Sequence, residues 1–179
     1  GATNSVLQLN NLTLAQAGSY SVRLCNPFGC ITNPSITLAV VNVLAWGDNS
    51  CGQLDVPPDA ANVVAVAGGQ SHSLALRADG RVLAWGGGAE VPTEATNVVA
   101  IAAGTSNNLA LRADGTVLAW GINDHDQNQV PPEATNVVKI ATGGPHSLVA
   151  RADGSVIAWG SDEVAVSTVP GDATKVTAV

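Results

Sequence analysis

Residues 62–86 read NVVAVAGGQSHSLALRADGRVLAWG, residues 97–121 read NVVAIAAGTSNNLALRADGTVLAWG, and residues 136–160 read NVVKIATGGPHSLVARADGSVIAWG. The three segments align without a gap, and the first two share 19 of 25 positions. Unrelated segments of this length would share about two positions, so the chain repeats one structural unit. A short copy of the unit's end, VLAWG, stands at 43–47, and a truncated unit begins at Lys175.

Each unit has the pattern of β-structure. Its Asp-Gly pair predicts a tight hairpin turn, because glycine accepts the positive φ that such turns need and the aspartate side chain can bond nearby amides. In the first unit the turn joins strands predicted at 72–77 and 82–85, and the valine run at 63–67 predicts a third strand. A Val-Pro pair in each connector could add a short outer strand.

The predicted strands are apolar on both faces. In the first unit Leu74 and Leu76 lie on one face of a strand and Ala75 lies on the other. Both faces must therefore be covered, and small sheets that recur every 35–39 residues cover one another by stacking face to face. The predicted fold class is all-β: an incomplete β-propeller arc of about three to four blades.

The residues Trp46-Gly47-Asp48-Asn49-Ser50-Cys51-Gly52-Gln53-Leu54, followed by the first unit, resemble the repeat of the regulator-of-chromosome-condensation family. In that family each repeat contributes to a blade of a seven-bladed propeller. The compact repeats with Val-Pro connectors are most similar to the bacterial branch, which includes a propeller-type secreted protein inhibitor of β-lactamase. The resemblance covers residues 41–179.

The chain departs from the family pattern in its connectors. The Asn-x-x-Gly-Gln stretch is intact at 49–53, is reduced to Asn123 and Gln127 in connector 122–135, and is absent from the short connector 87–96. A seven-bladed ring needs roughly 270 residues, and residues 41–179 supply about half of them. The resemblance therefore implies that further blades follow Val179, with 43–47 completing the last of them.

Residues 1–40 differ from the repeats. They resemble the last strands of an immunoglobulin-like domain, with Tyr20 in the place of the corner tyrosine and an alternation of Ile36, Leu38 and Val40 at the end. We therefore predict two regions: 1–40 as the C-terminal part of an immunoglobulin-like β-sandwich, and 41–179 as the propeller repeats.

Composition argues against two classes of partner. The chain has 14 acidic and 7 basic residues, a net charge of -7, and no window resembling a membrane helix. Nucleic acid and anionic bilayers would be repelled by such a surface, so we expect neither nucleic-acid binding nor membrane insertion of this segment.

Several conspicuous side chains recur at fixed repeat positions and are predicted to be structural. The tryptophans should pack between blades, the histidines should make buried hydrogen bonds, and the glycines should close the hairpin turns. Asn107 replaces histidine in the middle unit, which argues against a base or a metal ligand there. The structural positions are Trp46, Trp85, Trp120, Trp159, His72, His146, Gly80, Gly115 and Gly154. Arg77, Arg112 and Arg151 precede the turns and are predicted to make local ion pairs or carbonyl contacts.

One cluster falls outside the repeat pattern and is the candidate partner-binding site. Asn123, Asp124, His125 and Asp126 lie in one connector, and Asp162 and Glu163 lie at nearly the equivalent place after the third unit. The spacing matches no EF-hand or zinc motif, so no metal and no cofactor is predicted. Their acidity would favour a basic patch on a protein partner.

The cysteines are Cys25, Cys30 and Cys51. Cys25 and Cys30 flank a four-residue turn and could form a disulfide across a hairpin in an oxidising compartment. Neither adjoins a histidine or an acid as a nucleophile would.

The favoured function is a non-catalytic, protein-binding scaffold in a larger secreted or surface-exposed bacterial protein, located outside the cell or on its surface. No acid–base pair, nucleophile constellation or phosphate-binding loop is visible in the sequence, so no enzyme is predicted. Two alternatives stay open: an accessory module of a larger enzyme, and guanine-nucleotide exchange or chromatin-associated regulation, which the family name suggests. The partner itself is unknown.

Overall fold

The computed structural model describes residues 18–38, 43–88, 90–161 and 168–179, and this part of the chain contains strands and turns but no helix. The predicted all-β class is confirmed. The strands are β1 Gly18–Tyr20, β2 Arg23–Asn26, β3 Gly29–Thr32, β4 Ile36–Leu38, β5 Val63–Gly68, β6 His72–Arg77, β7 Val82–Gly86, β8 Val98–Ala103, β9 Asn107–Arg112, β10 Val117–Gly121, β11 Val137–Thr142, β12 His146–Arg151 and β13 Val156–Gly160.

Each repeat unit forms one three-stranded antiparallel sheet. The sheets have the orders β5-β6-β7, β8-β9-β10 and β11-β12-β13, so the middle strand of each unit is the centre of its sheet. The Val-Pro segments of the described connectors form no strand, and the sheets have three strands rather than four. The three sheets make an unclosed arc, as predicted for an incomplete propeller.

The first strand of each sheet begins with a bulge. Pairing with the middle strand skips one residue, for example between Val63 and Ala65. The residue before each of these strands is an asparagine with φ near 55° (Asn62, Asn97 and Asn136). Asparagine tolerates this left-handed conformation better than most residues, which explains its place at the start of every full unit.

Two apolar clusters join the three sheets. Leu74 and Leu76 of the first sheet pack against Ala110 and Trp120 of the second, and Leu109 and Leu111 of the second pack against Val149 and Trp159 of the third. The leucines of the middle strand therefore face the following sheet in the first two sheets, and Ala110 of the second sheet faces the first. The apolar character of both strand faces therefore has the predicted cause, since adjacent sheets cover one another.

Polar side chains at the start of the middle strands also link the sheets. The Nε2 atom of His72 lies 2.6 Å from Oδ1 of Asn108 in the next sheet. One unit further on, Asn107 takes the histidine's position and donates from Nδ2 to Ser147 Oγ at 3.3 Å. Asparagine can replace histidine here because both side chains reach the same place in the next sheet. That place is the second residue of the middle strand, Asn108 for His72 and Ser147 for Asn107.

The Asp-Gly turns lie at the opposite ends of the middle strands. Gly80, Gly115 and Gly154 have φ of 79°, 80° and 84°. Each turn carbonyl accepts a bond from the start of the next unit: Val98 N donates to Gly80 O and Val137 N donates to Gly115 O, both at 3.1 Å. Val176 N bonds Gly154 O in the same way, so the truncated unit starts as the full ones do.

The three arginines at the turns make the predicted local contacts. Arg77 pairs with Asp79 at 2.9 Å, and Arg151 pairs with Asp153 at 3.3 Å. Arg112 donates to the main-chain carbonyl of Glu94 at 2.8 Å. Arg77 and Arg151 also donate to the main-chain carbonyls of Asp59 at 3.5 Å and Thr135 at 3.0 Å, so each arginine fixes the preceding connector to its own turn.

At two of the turns, a hydroxyl side chain two residues after the aspartate lowers the pKa of that aspartate. The Thr116 hydroxyl donates to Asp114 at 2.6 Å and the Ser155 hydroxyl donates to Asp153 at 2.6 Å. These bonds are the main reason that the pKa of each carboxyl lies below its ordinary value of 3.8. Both carboxyls therefore stay ionised at neutral pH.

This pKa shift predicts an acid-dependent loss of stability. A carboxyl with a lowered pKa in the folded state stabilises the fold above the pKa of the unfolded chain, near 4, and that contribution is lost as pH falls through the lowered value. We expect Thr116→Val to raise the pKa of Asp114 toward 3.8 and to shrink this part of the acid sensitivity. The measurement is a carboxyl NMR titration with Asp153 as the internal control; an unchanged Asp114 pKa would contradict the assigned cause.

Residues 18–38 form two small pairs of strands. β1 pairs with β4, so that Tyr20 lies opposite Ile36, and β2 pairs with β3. Cys25 and Cys30 lie directly opposite each other in this hairpin and are joined by a disulfide, with Cα atoms 4.1 Å apart. The immunoglobulin-like assignment of residues 1–40 stays a prediction, since 1–17 and 39–40 lie outside the described residues.

Trp46 differs from the other three tryptophans, and its packing between blades stays a prediction. Its side chain is 85% exposed, whereas those of Trp85, Trp120 and Trp159 are 7–8% exposed. The cause is the absence of pairing: in the described part of the chain, residues 43–47 form no strand and belong to no sheet. An identical VLAWG sequence is buried only where a middle strand lies beside it.

His146 departs from its prediction. It is half-buried, and its buried Nδ1 atom has no hydrogen-bond partner among the described residues. His72 and Asn107, by contrast, bond to the following sheet through Nε2 and Nδ2. Within the ranges described, no fourth sheet stands beside the third for His146 to bond in that way.

Candidate functional site

The two ends of the strands carry different loops. At one end lie the Asp-Gly turns; at the other lie the Gly-containing loops that precede the middle strands and the first halves of the connectors. We call the second end the loop edge and define it as residues 48–54, 69–71, 87–88, 90, 104–106, 122–128 and 143–145. The end that carries the Asp-Gly turns is called the turn edge.

Two of the connectors fold into the same compact loop. In connector 48–61 the side chain of Asn49 accepts a bond from Leu54 N at 2.7 Å, and Gln53 Oε1 accepts one from Cys51 N at 2.9 Å. In connector 122–135, Asn123 and Gln127 do the same for Asn128 N at 2.7 Å and His125 N at 2.8 Å. Asn-x-x-x-Gln is therefore sufficient for this loop, and the glycine of the family pattern is not required.

The main-chain carbonyl of the glutamine anchors each loop to the sheet that follows it. Gln53 O accepts bonds from Trp85 Nε1 at 2.8 Å and from Ser73 Oγ at 3.1 Å. Gln127 O accepts bonds from Trp159 Nε1 at 2.9 Å and from Ser147 Oγ at 3.0 Å. The tryptophan and the serine lie opposite each other on adjacent strands, so the two donors converge on one oxygen.

The predicted partner-binding residues lie on this anchored loop. Asn123, Asp124, His125 and Asp126 are all exposed, while Gln127 beneath them is buried. Asp124 and His125 border a cavity of about 330 Å³ that reaches Thr105, Ser106, Gly144 and Pro145 on the neighbouring loops. Asp162 and Glu163 lie outside the described residues, so the structure does not place them beside this group.

The basic residues, unlike the carboxylates, are distributed unevenly between the two edges. The loop edge holds four carboxylates (Asp48, Glu90, Asp124 and Asp126) and neither lysine nor arginine. Five of the seven basic residues lie instead at the turn edge or beside it: Arg77, Arg81, Arg112, Arg151 and Lys175. The Ser50 hydroxyl, 2.6 Å from Asp48, lowers the pKa of that carboxyl, so its charge persists at neutral pH.

The loop-edge carboxylates do not form a metal site. Within residues 18–38, 43–88, 90–161 and 168–179, no group of three or more His, Cys, Asp or Glu side chains is arranged to hold a metal ion. In the same ranges no helix has the length and apolar character needed to cross a membrane. The arrangement offers instead an exposed, negatively charged set of loops on a rigid support.

Sequence reasoning missed the neighbours of the predicted cluster. Thr105, Ser106 and Pro145 are distant from Asp124 in the sequence and approach it because two sheets stack. Their position in the repeat could have predicted this approach, because the residues just before the middle strand lie at the same end of the sheet as the connector. The anchoring carbonyls of Gln53 and Gln127 are main-chain atoms, and only the spacing Asn-x-x-x-Gln pointed to them.

Three-stranded sheets stacked face to face in an arc define a propeller-repeat protein. Residues 63–90, 98–127 and 137–164 each match the family description "Regulator of chromosome condensation (RCC1) repeat". The chain therefore carries RCC1-type propeller repeats, and the predicted repeat family is confirmed. The predicted bacterial branch stays a prediction.

Solved structures share this fold. Yeast RCC1 (Prp20) bound to Kap60 is 24% identical, with a TM-score of 0.56 over 73% of this chain and 42% of that chain. The ectodomain of the receptor kinase CR4 from Physcomitrella patens is 24% identical, with a TM-score of 0.56 over 64% and 35% of the respective chains. The ectodomain of the Arabidopsis thaliana receptor kinase ACR4 is 21% identical, with a TM-score of 0.56 over 70% and 46%.

This chain thus spans less than half the length of each of these structures. At such identities the likeness shows the fold alone. No curated protein sequence is a significant match.

Proposed function

We propose that the chain is a non-catalytic protein-binding module whose loop edge docks on a basic surface of a partner protein. The distribution of the basic residues carries this proposal: the loop edge has carboxylates without a compensating lysine or arginine. Complementary charge speeds encounter and rejects wrong partners, which is the usual role of exposed charges at an interface. Loops on a rigid β-scaffold commonly carry binding residues.

The anchoring of the loops supports the same function. Each Asn-x-x-x-Gln loop is held by bonds from its own side chains and by two donors of the next sheet, so Asp124 and His125 are displayed on an ordered segment. A preordered loop loses less conformational entropy on binding than a disordered one. RCC1-type repeats, used elsewhere as protein-binding propellers, fit this role.

We place the protein outside the cell or on its surface, as part of a larger bacterial protein with residues 1–40 in an immunoglobulin-like spacer and residues 41–179 in a propeller. The Cys25–Cys30 disulfide supports this placement, because such bonds persist in oxidising compartments.

Charge reversal at the loop edge tests the proposed interface. Asp124→Lys is the variant and Glu133→Lys is the matched control, because both residues are exposed, lie on the same connector and change the net charge equally, while Glu133 belongs to the half of the connector nearest the turn edge. Proteins captured from the culture medium and cell envelope by the unsubstituted chain are identified and then titrated against all three forms. We expect Asp124→Lys to weaken binding by roughly five- to tenfold and Glu133→Lys to leave it unchanged.

Comparing the affinities of the two variants shows whether the partner binds at the loop edge. Equal affinity of Asp124→Lys and the unsubstituted chain would show that the loop edge is not the interface. An equal loss of affinity in both variants would show that only the net charge of the chain matters, and it would contradict a localised site.

A further inference from the structure

The connector between the first and second sheets differs from its two neighbours. Connector 87–96 is four residues shorter than connector 122–135. Counted back from the Val-Pro pair, Gly88 occupies the position that Gln53 and Gln127 hold in the other connectors. The middle sheet therefore lacks the Asn-x-x-x-Gln loop that covers the equivalent tryptophan in the flanking sheets.

Two buried donors are left without an acceptor in the middle sheet. Trp120 Nε1 and Asn108 Nδ2 have no hydrogen-bond partner among the described residues, and the two side chains are 7% and 1% exposed. They lie opposite each other on β10 and β9, in the places of Trp85 and Ser73. An indole N–H can only donate, and a buried donor without an acceptor destabilises the fold.

Asn108 cannot relieve this deficit within its own sheet. Its Oδ1 atom is engaged with His72 Nε2 at 2.6 Å, which leaves only the amide N–H groups free to bond elsewhere. In both flanking sheets the equivalent pair of donors converges on one main-chain carbonyl. The acceptor that the middle sheet lacks is therefore a carbonyl oxygen of the same kind.

A cavity lies beside Trp120. It measures about 540 Å³ and is bordered by Trp120, Gly88, Glu90, Val91, Pro92 and Glu94, together with Thr93 and Gly121. No lysine or arginine borders it, and both of its ionisable residues are glutamates. Its wall thus combines an indole, an apolar Val-Pro pair and two carboxylates.

We propose that this cavity, the notch, binds an extended peptide segment of the partner protein, placing a main-chain carbonyl where the flanking loops place theirs and a lysine or arginine near Glu90 and Glu94. The inference rests on the proposed function and names the partner's chemistry at one point of the interface. The flanking sheets supply the geometry of the carbonyl, and the glutamates supply the charge preference. An anionic ligand would meet the same carboxylates and be repelled.

The test observes the indole N–H groups directly. Acetyl-Gly-Lys-Gly-amide is titrated into ¹⁵N-labelled protein, and the indole signals are assigned from single Trp→Phe variants. We expect the Trp120 N–H signal to move saturably downfield with a Kd on the order of 1–10 mM, while those of Trp85 and Trp159 stay fixed because their donors are already bonded. Acetyl-Gly-Glu-Gly-amide should bind at least about fivefold more weakly.

Trp120→Phe provides a second measurement. It keeps an aromatic ring and deletes a donor that has no partner among the described residues, so the fold should tolerate it, whereas Trp159→Phe removes one of the two donors to Gln127 O. In Trp120→Phe we expect the shift of the Val91 backbone amide on titration to fall at least about threefold.

Three results would overturn the notch: no saturable shift at Trp120, an equal response at the exposed Trp46, or unchanged binding in Trp120→Phe. If the notch fails while Asp124→Lys still weakens partner binding, the proposed function stands without it. If the tripeptide binds but Asp124→Lys has no effect, the loop-edge interface fails instead.

Discussion

Replacing Leu109 by alanine should lower the free energy of unfolding by about 3 kcal/mol. Leu109 is fully buried and belongs to the apolar cluster that joins the second sheet to the third, where it packs with Val149 and Trp159. Truncation removes three carbons from a cluster shared by two sheets and leaves a cavity that the sheets cannot close without shifting together. The loss should appear in urea unfolding followed by circular dichroism.

Leu44→Ala is the matched control. The same atoms are removed, but Leu44 is 86% exposed and lies in a segment that forms no strand. Its unfolding free energy should change by no more than about 0.5 kcal/mol. Equal losses in both variants would show that the clusters between the sheets do not hold the arc together.

The second large effect is expected for Gly121→Ala. Gly121 ends β10 with φ of 110°, a conformation that side-chain-bearing residues rarely adopt. An added Cβ would also collide with Ser106 O and lie 3.0 Å from Asn107 Cα, both main-chain atoms that cannot turn aside. We expect a loss of about 2–4 kcal/mol, combining backbone strain with overpacking.

Gly68→Ala separates this effect from the generic cost of changing glycine. Gly68 ends β5, is exposed, and has nothing within 4 Å of the place where a Cβ would lie. Its unfolding free energy should stay within about 0.5 kcal/mol of the unsubstituted protein. A loss in Gly121→Ala no larger than that in Gly68→Ala would contradict the close approach of the Ser106 loop to the end of β10.

Repetition made most of the fold predictable. Three gapless copies fixed the strand boundaries to within about one residue: 72–77 was predicted and His72–Arg77 is observed, while 63–67 extends by one residue to Gly68. The stacking of the sheets was predictable because leucine and alanine alternate along strands that have no polar face. Each of these signals lies within a single unit, so it could be read without knowing what lies beside that unit.

The features that the sequence left open have the opposite character, because they depend on neighbours. Trp46 and Trp85 lie in identical VLAWG segments, but among the described residues only the segment of Trp85 pairs with a middle strand, so Trp46 is exposed and Trp85 is buried. The two donors of the notch could not be foreseen either, since their lack of an acceptor becomes visible only against the bonded tryptophans of the flanking sheets. Contacts within a unit could therefore be predicted from the sequence, whereas contacts between units could not.

The differing surroundings of the four tryptophans give the molecule built-in optical probes. Trp46 stands in water, Trp85 and Trp159 are shielded and bonded to carbonyls, and Trp120 is shielded without a bond. Soluble quenchers should therefore extinguish the long-wavelength fraction of the fluorescence first, and Trp46→Phe should leave only blue-shifted emission. In that variant, occupancy of the loop edge by any binder could be followed by light alone, with no attached dye.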